Sequence, residues 1–207
     1  MSDQAGAARG VGLRERKKAE RFRTIADAAR QLTLERGLDA VSIEEISAAA
    51  DVSPRTFHNY YSCKEEAIVG IEPSGVAATA AYLRERPADE TPFEVLRALI
   101  LHAPDQLSAT GEEWVRRTEL LRRHPSLLPF YLAGLVRTEE ALVAALADRL
   151  GVDPARDPLP SVLVSATLAS TRATLRWWHD HEPPMSLAEA LEDSLGALAV
   201  GFGSVRS

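Results

Sequence analysis

The sequence predicts an all-α protein, and three observations carry that expectation. Apolar residues recur at helical spacing along most of the 207 residues, and alternating Val/Ile/Tyr/Thr runs with hairpin signals are missing. In addition, Ser/Thr-x-x-Glu motifs stand at the edges of the periodic segments: Ser42–Glu45, Ser62–Glu65, Thr91–Glu94, Thr110–Glu113 and Ser186–Glu189. In each, the hydroxyl accepts from a free N–H of the first helical turn and the glutamate reaches back to the cap, so each marks a helix start. About nine helices are expected, roughly three before Cys63 and six after it.

The first helix is expected over 13–36, where Phe22, Ile25, Ala26, Ala29 and Leu32 form one apolar stripe and Gly37 follows as a C-cap. A short helix over 42–50 has Ile43, Ile46 and Ala50 inward. Asp51-Val52-Ser53 is a tight connection, and Ser53-Pro54 restarts a helix with a cap and an N1 proline. Two short helices across a minimal turn are a helix-turn-helix unit. Further on, the breakers Gly151, Asp153-Pro154, Pro158/Pro160 and Pro183-Pro184 set off two long segments, about 159–179 and 186–202. No internal repeat or low-complexity tract is present.

Composition narrows the function classes. With 24 Lys+Arg against 30 Asp+Glu the net charge is −6, so any nucleic-acid site must be local rather than a bulk polycation. It is local at the start of the chain: Arg9, Arg14, Arg16, Lys17, Lys18, Arg21 and Arg23 face only Glu15 and Glu20, the pattern of a phosphate-contacting arm. One cysteine makes neither an intramolecular disulfide nor a zinc cluster, which suits a reducing compartment. Residues 1–12 lack the apolar stretch of a signal peptide, and the least polar run, 158–171, is shorter than the ~18 residues of a membrane span. A soluble cytoplasmic protein is expected.

The helix expected over 54–61, Pro-Arg-Thr-Phe-His-Asn-Tyr-Tyr, carries the functional signal. Phe57 and Tyr61 fall at i, i+4 and can anchor it, which leaves Arg55, Thr56, His58, Asn59 and Tyr60 on the outer turns. A helix fits the major groove of B-DNA, where Arg pairs bidentately with guanine and Asn with adenine. A Thr methyl can meet a thymine methyl, and Tyr hydroxyls hold phosphates.

From Val41 to Ile68 the chain reads VSIEEISAAADVSPRTFHNYYSCKEEAI. This stretch resembles the DNA-binding region of TetR-family transcriptional regulators. It shares their Ser/Thr-capped helix, Ala-Gly-Val-Ser-like turn, aromatic recognition helix and Ser-Lys-Glu-Glu/Asp opening of the next helix. The resemblance implies that Ser42 caps the first helix of the motif and touches a phosphate. It also implies that Arg55, Thr56 and His58 face bases, that Asn59 and Tyr60 hold phosphate or base edges, and that Lys64 grips the backbone. Asp51 departs from the usual Gly, which a short polar side chain tolerates. His58 stands for a Tyr or Phe, and Tyr61-Ser62-Cys63 for Phe-Pro-Ser, so the base preference stays open. Cys63 reads as a variant Ser position; a lowered pKa at a helix start would be the route to a redox role.

The resemblance further implies a helix-turn-helix domain over 10–62 and a ligand-sensing, dimerising helical bundle over 63–207. In such proteins the last two long helices pair with their twofold mates. Here Ala166, Ala169, Ala173, Leu191, Leu195, Leu198 and Phe202 suit that role, the alternative being burial within one subunit. An effector site among the middle helices would draw on Trp114, Leu121, Phe130 and Tyr131 as walls and on Arg117 or Arg172 as an anionic anchor. The Pro-Arg-Thr-Phe-x-Asn-Tyr helix with the later Arg-His-Pro and Arg-Trp-Trp segments is also similar to actinobacterial TetR regulators that include the mycofactocin-associated group. Some of these respond to acyl-coenzyme A esters, which makes such an ester one effector class alongside drugs and aromatic metabolites. The expected partners are thus a pseudo-palindromic double-stranded DNA operator, a second copy of the chain and a small-molecule effector, with no cofactor, metal or membrane.

An enzymatic or purely ligand-binding helical protein with a non-reading helix-turn-helix is the competing class. Its one metal-like motif, His179-Asp180-His181-Glu182, places ligands at i and i+2, which on a helix point about 200° apart. No Gly-x-Ser-x-Gly elbow or Walker-type loop is present.

Overall fold

The computed structural model describes residues 3–71, 73–102 and 111–203. Among these there are ten α-helices and no strand. In chain order they are α1 (Asp3–Arg36), α2 (Ile43–Ala49), α3 (Pro54–His58), α4 (Lys64–Val69), α5 (Pro73–Glu85), α6 (Pro92–His102), α7 (Gly111–Arg123), α8 (Leu128–Leu150), α9 (Leu159–His181) and α10 (Leu187–Gly203). Three of these precede Cys63, as expected, and seven follow it where about six were expected.

Helix starts obey the cap chemistry with one shift. The Glu45, Glu94 and Glu189 N–H groups donate to Ser42, Thr91 and Ser186 hydroxyls, and each glutamate carboxylate accepts from the cap backbone N–H in return. At α4 the cap is Cys63 rather than Ser62, and the Ser62 N–H donates to Glu66 at 2.9 Å instead of to Glu65. Thr110 lies outside the described residues.

The chain divides into two compact units, Met1–Gly75 with Arg116–Leu135, and Val76–Val115 with Val136–Ser207. The first unit therefore extends beyond residue 62 to take in α4 and a segment of α7 and α8. Its core is the α1 stripe of Phe22, Ile25, Ala26, Ala29 and Leu32, joined by Ile46 of α2, Phe57 of α3, Tyr61, Ala67 and Ile68 of α4, and Leu120 and Leu127. Helix α1 packs on both α2 and α4, and α2 on α3.

In the second unit Leu83, Val95, Leu96, Leu99, Leu142, Leu146, Leu163 and Val164 form a separate core, and α6, α9 and α10 pack together. Arg149 closes this unit's 86–90 connection, with Nη1 donating to the Arg86 carbonyl at 2.9 Å and Nη2 to those of Pro87 and Glu90. Trp178 Nε1 donates to the Met185 carbonyl at 2.9 Å and so pins the Pro183-Pro184 turn to the end of α9.

Three glycines follow helices at positive φ: Gly70 at 67° and Gly151 at 66° end α4 and α8, while Gly37 at φ 84° and ψ 157° follows α1 in the extended region that is nearly glycine-only. A Cβ on Gly151 would meet nothing within 4 Å, whereas one on Gly70 would stand 2.1 Å from Nη1 of buried Arg30, whose Nη2 is held by Asp27 at 2.7 Å. Gly151→Ala is therefore expected to cost about 1–2 kcal/mol of backbone strain. Gly70→Ala should cost more, because Arg30 must move as well; urea unfolding of the two variants measures the difference, and equal losses would contradict the Arg30 contact.

The α2 capping box makes a pH-dependent contribution. Hydrogen bonds from the Ser42 backbone and then its hydroxyl hold the Glu45 carboxyl below its ordinary value of 4.5, with a smaller effect of the Arg36 guanidinium. A depressed folded-state pKa stabilises above the unfolded value and is lost as pH falls through the folded one. The stability gap between the wild type and Glu45→Gln should thus be widest above pH 4.5 and close below it in urea titrations. A gap that does not change with pH would remove the carboxylate from the cap.

Candidate nucleic-acid interface

Helix α3 spans five residues and starts at Pro54, capped by Ser53, whose hydroxyl accepts from Thr56 N at 3.0 Å. It ends sooner than the 54–61 segment suggests. Asn59 N donates to Thr56 O and Tyr60 N to Phe57 O, three residues back rather than four, so the last turn tightens. The connection before it turns at Asp51, which adopts φ 52°, the left-handed conformation expected for a residue standing where Gly is usual.

Phe57 is fully buried and Tyr61 nearly so. The Tyr61 hydroxyl donates to the Phe22 carbonyl at 3.2 Å, and its ring meets Phe22 edge-on at 5.1 Å. These anchors turn the opposite face outward. Arg55, His58 and Asn59, at i, i+3 and i+4, are all exposed on it, while Thr56 and Tyr60 are half-buried along its flank. The Tyr60 ring stands edge-on to Phe22 at 4.8 Å, which fixes it beside α1. On α1 itself Lys17, Lys18, Arg21 and Arg23 are exposed; the side chains of Arg9, Arg14 and Arg16 lie outside those described.

Three of the sequence-derived positions, Ser42, Thr56 and Lys64, are engaged within the protein. Ser42 donates its hydroxyl proton to Glu45 at 2.9 Å while capping α2. Lys64 Nζ donates to the carbonyls of Leu38 and Val41 at 2.8 and 2.9 Å, tying α4 to the α1–α2 connection and leaving the ammonium one further N–H. Sequence reasoning identified Ser53 as a cap and missed its second partner, Thr56 Oγ1, at 2.9 Å. The Ser-x-x-Thr spacing was the available signal.

Cys63 is half-buried, and its thiol is pushed up rather than down. Burial is the first cause, reinforced by Glu65 and Glu66 against a backbone hydrogen bond at Glu66. The start of α4 thus does not lower the thiol pKa: the six-residue helix does not offset desolvation and two carboxylates.

The effector candidates fall into different places. Leu121, Phe130 and Tyr131 are partly buried against the first unit's core, and Arg117 of the same unit is half-buried. Arg172 is half-buried in the second unit, to which Trp114 also belongs; the Trp114 side chain lies outside those described. His179 and His181 sit on α9 and Glu182 at its left-handed C-cap, and the described residues contain no cluster able to hold a metal ion. Nor is any described helix long and apolar enough to cross a membrane.

Comparison with known proteins agrees with this architecture. Residues 25–68 match the family described as bacterial regulatory proteins, tetR family, and residues 90–203 match the MftR C-terminal domain. The HTH-type transcriptional regulator TcmR of Streptomyces glaucescens is 33% identical over 177 residues, covering 82% of this chain and 78% of its own. SmeT, the repressor of the Stenotrophomonas maltophilia multidrug efflux pump SmeDEF, has the same fold at TM-score 0.54 and 20% identity, over 87% of this chain and 89% of its own. FadR of Thermus thermophilus, a repressor solved in complex with lauroyl-CoA, gives TM-score 0.51 and 25% identity over 86% and 92%. A family match over more than half of the chain, a relative one-third identical across four-fifths of it, and a helix-turn-helix with an outward polar face converge: this chain belongs to the TetR family of transcriptional regulators.

Proposed function

We propose that the protein is a homodimeric repressor, acting in the cytoplasm, that reads a pseudo-palindromic operator and is released from it by a small molecule. The observation that carries the reading is the exposed Arg55, His58 and Asn59 face, held outward by buried Phe57 and Tyr61. Arg55, His58 and Thr56 contact base edges, and Asn59 contacts base or phosphate. Tyr60 and the exposed Lys17, Lys18, Arg21 and Arg23 of α1 meet phosphates. Ser42 and Lys64 serve chiefly to fix the scaffold, with the third Lys64 N–H open to a phosphate. In this reading 10–62 is the DNA-contacting region, and 63–207 senses and dimerises.

Dimerisation is assigned to α9 and α10. Val162, Ala169, Ala173 and Trp177 follow one stripe of α9 and are all exposed, Val162 by 48% and Trp177 by 45%. On α10, Ala197 and Val200 are exposed, Val200 by 77%, and nothing lies within 4 Å of a Cβ built on Gly196 or Gly201. Small exposed residues let a partner's helices approach closely. Of the other residues expected on this face, Leu195 is fully buried within its own unit; Ala166, Leu191 and Leu198 are half-buried, and the Phe202 side chain is outside those described.

The effector is a small molecule with Arg117, Leu121, Phe130 and Tyr131 as candidate contacts. An acyl-coenzyme A ester is the class favoured by the resemblance to regulators that respond to such esters and by the lauroyl-CoA complex of the Thermus thermophilus relative. Release follows from differential affinity: the ligand shifts the population only as far as it prefers the non-binding conformation.

Selection of bound sequences from a random duplex pool tests the reading, followed by a salt titration on the enriched duplex. An inverted repeat with half-sites ~34–36 Å apart and a steep salt slope is expected, and no enrichment from protein freed of bound ligand by refolding would refute it. On the selected site Arg55→Ala should cost about 1–3 kcal/mol and relax the preference at one base position per half-site. An unchanged preference would take Arg55 out of base reading.

Ala173→Arg places a charge on the exposed α9 stripe without disturbing the core. Sedimentation should show a folded monomer whose operator affinity is lower on the order of 100-fold, because the second half-site no longer binds intramolecularly. A dimer retained at full affinity would move the interface elsewhere.

A further inference from the structure

We propose that Ser53 is a positioning residue for sequence specificity, which fixes the Thr56 rotamer so that Thr56 reads thymine through its Cγ2 methyl. The inference rests on the reading of α3 as the groove-entering helix and goes beyond it in assigning which atoms discriminate.

Ser53 makes two contacts with the same residue. Its Oγ accepts the Thr56 backbone N–H at 3.0 Å and lies 2.9 Å from Thr56 Oγ1. The first is the N-cap bond that fixes where α3 begins; the second fixes the Thr56 side chain. A threonine carries two different groups on one Cβ, and staggering about χ1 means that directing Oγ1 to the cap also sets the direction of Cγ2. The contact engages one of the hydroxyl's three hydrogen-bonding sites, and keeping it holds the side chain in one rotamer. The methyl is fixed with that rotamer, on a half-buried side chain between exposed Arg55 and His58.

In the major groove the complementary group is the C5-methyl of thymine, which no other base of DNA presents. The pairing is apolar, so it reports on one carbon atom of the operator and is insensitive to hydrogen-bonding groups at that position. Thr56 with Ser53 thus specifies thymine at one position of each half-site, beside the hydrogen-bonding readout of Arg55.

Uracil substitution isolates that atom, because deoxyuridine differs from thymidine only by the C5-methyl. The experiment measures binding of the full-length wild-type protein to its selected duplex, with each thymine replaced by deoxyuridine in turn. The proposal expects one position per half-site where uracil weakens binding about fourfold, the worth of one buried methyl group. Thr56→Val, which lacks the hydroxyl and keeps a methyl, should retain that discrimination. Thr56→Ser should bind the thymine and uracil duplexes alike, and Ser53→Ala should narrow the difference; circular dichroism melts check that each variant is folded.

Tight, selective wild-type binding with no uracil-sensitive thymine overturns the proposal while leaving the reading of α3 intact, and this arm needs no variant. Loss of discrimination in Thr56→Val with retention in Thr56→Ser overturns it in favour of the hydroxyl. A wild-type protein that selects no sequence overturns the reading of α3 and this proposal together.

Discussion

A five-residue helix has no stability of its own, since nucleation fixes several residues for the first hydrogen bond and a helix this short adds almost none afterwards. Everything that α3 can do therefore depends on Phe57 and Tyr61, one turn apart, being buried against Phe22 of α1. Removing a buried aromatic side chain typically costs about 3–5 kcal/mol, far more than a short surface helix contributes. The aromatic pair is thus what gives the outward Arg55, His58 and Asn59 a defined direction.

The surrounding polar contacts serve the same end. Lys64 joins α4 to two carbonyls of the α1–α2 connection, and Glu45 receives both the α2 cap and Arg36 from the end of α1. The Lys64 bonds reach 26 and 23 residues back and the Arg36 pair spans nine, while the Ser42 cap is local. The first unit is accordingly held by one apolar cluster with polar ties at its rim.

Local rules account for what the sequence made legible. The α1 stripe, the Gly37 C-cap, the Ser42–Glu45 box and the left-handed Asp51 each depend on residues within a few positions of one another, so spacing and backbone preference suffice. The family motif made the outward set around α3 legible as a group. Side-chain commitments were not legible: Lys64 finds carbonyls 23 and 26 residues away, and the Ser42 hydroxyl serves Glu45 first. Leu195 looked like interface and is core, because an apolar residue on an amphipathic helix does not declare which neighbour covers it. The start of α5 was invisible because its first turn has neither a Ser/Thr cap nor a partnering glutamate.

Leu121, Phe130 and Tyr131 rest on the core cluster that also holds Phe57 and Tyr61. A molecule touching any of the three meets the rim of the packing that aims α3, with no intervening element needed to carry the effect. Linkage is reciprocal, so whatever factor such a molecule removes from DNA affinity, bound DNA removes from the affinity for the molecule. A cell holding many operator copies would then need more of the effector to empty them. The dose at which such a molecule acts would be set jointly by its own concentration and by the number of sites the protein occupies.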